Sequence, residues 1–64
     1  MNRYHIIGVV TGTEGKQQQY HYVDTTAAGQ TATDAETLAL AATAPHLTAR
    51  RWVTVRSRLD DGRG

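Results

Sequence analysis

The side chains best equipped for chemistry in this 64-residue chain are its three histidines, His5, His21 and His46. Three imidazoles are enough to hold a zinc ion. The spacing argues against it: no His-x-x-x-His pair, no cysteine and no carboxylate at ligand spacing accompanies them. They read as ordinary strand and loop histidines, with His5 and His21 near one another across a hairpin. The stretch Gly8-Val9-Val10-Thr11-Gly12-Thr13-Glu14-Gly15-Lys16 has a faint look of a phosphate loop. That pattern needs glycine where Val10 stands, Ser or Thr where Gln17 stands, and a helix to follow. A strand follows here, so Gly12 and Gly15 are turn glycines. A dinucleotide fingerprint fails for the same reason.

Ser57 is the one serine, it falls in a strand, and no base is set beside it. Glu14, Asp34 and Glu36 sit in a turn and at a helix start, where capping accounts for them. A chain this short also has little material with which to preorganise two shells around a reacting atom. The expectation is a protein that is not an enzyme and has no catalytic residues, no cofactor and no metal.

One constellation remains: Tyr4, Tyr20, Tyr22, Trp52, Arg56 and Arg58. Tyr, Trp and Arg are the types enriched at protein-binding hot spots. Aromatic rings on a sheet, with arginines beside them, also stack bases and neutralise phosphates of single-stranded nucleic acid. The bland alternative is that a helix covers the rings and they are simply core.

The elements that must position these residues can be read in turn. Tyr4–Thr11 is β-branched and aromatic and predicts a strand. Gly12–Gly15 predicts a turn, and Gln17–Thr25 the returning strand of a β-hairpin. A helix is expected over Ala32–Ala44. Thr33 and Glu36 match a capping box, with Thr31 and Asp34 a competing cap two residues earlier. Ala35, Leu38, Ala39 and Ala42 share one face, with Leu40 on its flank. Pro45 stops the helix, and Arg51–Leu59 predicts a third strand. The expected fold is α+β, a single β-β-α-β domain over residues 1–59 with a flexible tail at 60–64. A right-handed helical crossover leaves strands two and three parallel. The simplest sheet is then three-stranded and antiparallel, in the order 2-1-3, with the doubly apolar first strand in the centre and the helix on one face.

The expected faces follow from setting Gly8 opposite Tyr20. The helix then covers Ile7, Val9, Val23, Val53 and Val55. The open face shows Tyr4, Ile6, Val10, Tyr20, Tyr22, Trp52, Arg56 and Arg58. Such a patch is too apolar for ordinary solvated surface.

Composition sets the remaining limits. So small a chain buries only about 60% of its unfolded surface and is marginal alone. Without cysteine it has no disulfide, which fits a reducing, cytoplasmic setting, and self-association is the favoured route to stability. No signal peptide is visible, and Ile6–Val10 is too short to span a bilayer. Net charge is +1, but Arg50, Arg51, Arg56, Arg58 and Arg63 gather at one end. The plainer reading of that run is a charged edge strand that resists aggregation. Thr-, Ala- and Arg-rich usage is in the style of a short phage or mobile-element accessory protein from a high-GC gene, an impression with no residue-level implication. The expected role is a small protein-binding module acting through an open sheet face, on a second copy of itself or another macromolecule. Neither a membrane nor a small-molecule substrate is expected. The alternative is single-stranded nucleic-acid binding by the sheet aromatics and C-terminal arginines, which the near-neutral net charge disfavours.

Overall fold

The computed structural model describes residues 1–60. It contains β1 (Asn2–Glu14), β2 (Gln17–Gly29), α1 (Ala32–Ala42) and β3 (Thr48–Leu59). The three strands form one sheet in the order β2-β1-β3, and both neighbouring pairs are antiparallel. The α+β class, the element order and the strand order are those expected. Of the expected tail, Asp60 is tied in, its N–H donating to the Arg3 carbonyl at 2.7 Å. Residues 61–64 lie outside the described residues.

The strands run longer than expected because the hairpin turn is tighter. Gly12 and Thr13 pair within the ladder, and the loop narrows to Gly15-Lys16 between the partners Glu14 and Gln17. Gly15 has φ +62° and Lys16 does not share that region, the pattern of a two-residue type II′ loop. The tight loop also moves the register. Gly8 pairs with Val23, and Tyr20 with Thr11. The partner of Gly8 therefore lies three residues beyond Tyr20. An odd shift moves every β2 side chain to the other face relative to β1.

The faces are corrected accordingly. The helix covers Tyr4, Ile6 and Val10, and Ile6 and Val10 are both 0% exposed. Ile6, Ala35 and Ala39 form the core cluster, with Tyr4, Ala27, Trp52 and Val55 packed against it. Val23 and Val55 are on the covered side as expected; Ile7 and Val9 are not. A register shift of β3 between Val9 and Val10 bulges Val53 out of the ladder, where it is exposed. Gly8 explains why the helix takes this face. A Cβ there would lie 2.3 Å from the Thr54 carbonyl oxygen and 3.0 Å from the Trp52 ring. The bare backbone lets Trp52 lie over the sheet, and its indole Nε1 donates to the Glu36 carbonyl of α1 at 3.3 Å.

Both helix ends are tied down. Thr31 is the N-cap, its hydroxyl accepting from the Asp34 N–H at 3.1 Å, so the earlier of the two caps is the one used. The Glu36 carboxylate is engaged elsewhere, accepting from the Ser57 hydroxyl of β3. The helix stops at Ala42, before Pro45, because Thr43 is already extended. Arg50 then takes over the last carbonyls, its Nη1 donating to Leu40 and Ala41 at 3.1 Å and Thr43 at 2.6 Å. A cation is well placed at that end of the helix dipole. With Glu36 anchored toward β3, Leu38 falls about 200° further round the helix. It therefore projects on the β2 flank and is 57% exposed rather than covered.

Two stability outcomes are expected. Gly8→Ala should lower unfolding free energy by about 2–3 kcal/mol, since the obstructing atom is backbone. Arg50→Ala should cost about 1–2 kcal/mol by leaving helix carbonyls without their donor. Urea unfolding followed by tryptophan fluorescence measures both; a neutral Gly8→Ala would refute the packing described.

Candidate binding face

Alternation along β1 sends Ile7, Val9 and Thr11 away from the helix. Their cross-strand partners build the open face rung by rung. Tyr20, Thr11 and Arg51 form one rung, and Tyr22, Val9 and Thr54 the next. Asp24, Ile7 and Arg56 follow, then Thr26, His5 and Arg58. The face is thus striped along the strands. Tyrosines line β2, half-buried aliphatic side chains line the centre, and arginines line β3.

Of the six binding residues read from the sequence, the structure brings Tyr20, Tyr22, Arg56 and Arg58 onto this face. Tyr20 is 61% and Tyr22 72% exposed. Tyr4 and Trp52 are not there, because both pack against the core under α1. Sequence reasoning missed Ile7, Val9 and Arg51. The signal for the first two was Gly15-Lys16 as a two-residue loop, which fixes the hairpin register and with it the parity of β1 against β2.

Polar contacts hold the face in shape. His5 Nε2 meets the Asp24 carboxylate at 2.7 Å, diagonally across the β1–β2 pair. Thr11, only 2% exposed, donates its hydroxyl to the Gln19 carbonyl at 2.9 Å and accepts from the Gln18 amide at 3.1 Å. Gln19 in turn donates to Glu14 at 2.8 Å. Beside them a groove of about 420 Å³ is lined by His5, Ile7, Arg56, Ser57 and Arg58. Its walls offer two guanidinium groups and an imidazole, a chemistry suited to a carboxylate or phosphate.

The histidines divide between the faces. His21 and His46 meet edge to face on the helix side, with ring centroids 5.9 Å apart, while His5 is on the open side. The expected proximity of His5 and His21 is therefore not found. Among the described residues no group of three His, Cys, Asp or Glu side chains is placed to hold a metal ion. No described helix is long and apolar enough to cross a membrane.

Comparison with protein-family models, with curated proteins and with solved structures finds no match to this chain. The geometry therefore carries the functional argument alone.

The two groups of aromatics should separate in mutagenesis. Tyr20→Ser and Tyr22→Ser should each change unfolding free energy by less than about 0.5 kcal/mol, as exposed sites do. Trp52→Ala should cost about 3–5 kcal/mol, as a truncated core aromatic does. Chemical denaturation of the three variants would show it; equal losses would return the tyrosines to the core.

Proposed function

We propose that this protein is a small non-enzymatic binding module that engages another macromolecule through the open face of its sheet. The observation that carries this reading is the stripe Tyr20, Tyr22, Ile7 and Val9 beside Arg51, Arg56 and Arg58. Two exposed tyrosines, a half-buried aliphatic centre and flanking arginines match the make-up of protein interfaces, which are rich in Tyr and Arg around a dry middle. The sheet also offers length: the molecule measures 43 × 16 × 14 Å. A face of that footprint approaches the roughly 800 Å² per partner of a standard interface. The partner is a second copy or a different protein, in a cytoplasmic setting that the cysteine-free sequence fits. An accessory protein of phage or mobile-element type would act in this way.

Affinity capture on the immobilised chain, with and without nuclease, tests the reading. The expected result is a stoichiometric protein retained through nuclease treatment by the wild type and lost by Ile7→Glu. Ile7 lies in the central strand with its side chain half exposed, so this variant places a charge in the contact without removing a fully buried group. Retention equal in both would refute the open face as the binding surface.

A second reading has its own observation. Tyr20 and Tyr22 stand two residues apart on one strand with solvent-exposed rings, and arginines run along the opposite strand. That arrangement suits stacked bases with their phosphates toward β3. It predicts that a fluorescent oligothymidylate binds, and that Arg56→Ala with Arg58→Ala lowers the slope of log K against log salt by about 1 to 2. Salt-insensitive binding would exclude it.

A further inference from the structure

The outer edge of β2 is a second interaction surface, distinct from the open face. We propose that two copies of this chain pair β2 to β2, antiparallel, and so build one continuous six-stranded sheet.

The two edges of the sheet are treated differently. On β3, Arg51, Arg56 and Arg58 and two register shifts interrupt the edge; charges and bulges of this kind deter edge pairing. On β2, thirteen consecutive residues pair with β1 without a shift. They include no Lys, Arg or Pro and a single carboxylate, Asp24. An edge this long and regular is a template for another strand.

The ladder fixes which groups the edge offers. Glu14 and Gln17 close a two-residue loop and so form a hydrogen-bonded pair. Every second pair from there bonds β1 to β2. Even-numbered β1 residues therefore bond β2, and odd-numbered ones bond β3. The bond from Asp60 N–H to the Arg3 carbonyl agrees with that parity. On β2 the odd residues are used, and the N–H and C=O of Gln18, Tyr20, Tyr22, Asp24 and Thr26 point outward. Among the described residues no strand takes them.

A second copy fits this edge better than an arbitrary strand. With Tyr22 on the two-fold axis, Tyr22 faces its own counterpart, Tyr20 faces Asp24, and Gln18 faces Thr26. The aromatic pair is favourable, and the two Asp24 carboxylates stay apart. The two-fold stands perpendicular to the sheet, so both helices lie on the same side. Leu38 projects on the β2 flank of α1 and is exposed. Glu36 contacts Ser57, which is level with Ile6 and hence with Thr25. Leu38, two residues on, is then near mid-strand beside the axis, where its counterpart would meet it. The pairing also answers the small core, in which Ala35 and Ala39 are two of the six buried hydrophobic residues among those described. It brings the two Tyr22 rings together at the seam, leaves the β3 arginine side chains untouched and doubles the open face, whatever that face binds.

Sedimentation over a dilution series, with residue-resolved amide hydrogen exchange on the wild type, tests the pairing. The expected result is a dimer in which the amides of Tyr20, Tyr22, Asp24 and Thr26 slow by about tenfold or more as concentration rises. Thr26→Pro removes an outward N–H without touching the β1 ladder, and Leu38→Glu charges the helix flank; both should stay folded and become monomers. Ile7→Glu should remain a dimer while losing any partner of the open face. A chain that stays monomeric at every concentration would overturn the pairing, and so would a dimer whose even-numbered β2 amides exchange freely. Neither result bears on the open face as a binding surface.

Discussion

The structure depends on a missing side chain. Gly8 stands at the centre of the central strand, and its bare backbone is the floor on which the Trp52 ring rests. Trp52 belongs to β3, lies over β1 and bonds to the backbone of α1, so one side chain joins three of the four elements. With the ring in place, a helix of small residues closes over Ile6 and Val10 on the same side. Which face is core and which is surface follows from that contact. Any side chain at position 8 would push against the Thr54 carbonyl and force β3 away from β1.

Much of the architecture was legible in the residue pattern. Strand content, turn glycines, a helix start rich in caps and Pro45 beyond its end specify β-β-α-β. The crossover rule and the doubly apolar first strand then specify the order 2-1-3. The faces were harder, for an identifiable reason. Tyr4, Ile6 and Val10 alternate with His5, Ile7 and Val9, so both sides of β1 are apolar and hydrophobicity does not choose between them. The hairpin register decides which β2 side chains join each side, and it rests on where within Gly12–Lys16 the two-residue turn falls. The three-residue difference in register exchanges the β2 partners, the β3 bulge at Val53 turns Trp52 away from the face of Thr54, Arg56 and Arg58, and Tyr4 is core because α1 covers its side of β1. Tyr20, Tyr22, Arg56 and Arg58 are on the open side in either reading. The polar ties were also hidden from the pattern. Nothing local marks Arg50 as the group that closes the helix, because its partners are seven to ten residues away.

The polar groups on the two sides of the sheet do different work. On the covered side they join elements: Glu36 to Ser57, Trp52 to the helix backbone, Arg50 to the last turn. On the open side they join neighbouring strands, as His5 does with Asp24 and Thr11 with Gln18 and Gln19. The first set positions the helix, and the second stiffens the sheet without consuming the tyrosines or the β3 arginines. A rigid, largely preformed surface loses little conformational entropy when it is covered, which suits a small binding module.

The Arg50 clasp has a consequence for how the chain reaches its fold. An eleven-residue helix is too short to persist alone in water. The Thr43 N–H reaches the Leu40 carbonyl locally, but the Ala41 and Thr43 carbonyls take their donor from Arg50, a residue near the start of the last strand. During synthesis the hairpin can form early, but the helix has no stable closure until β3 has emerged and docked. Folding is therefore expected to be a late event rather than a stepwise accretion, since a chain that ends before β3 lacks the group that finishes α1.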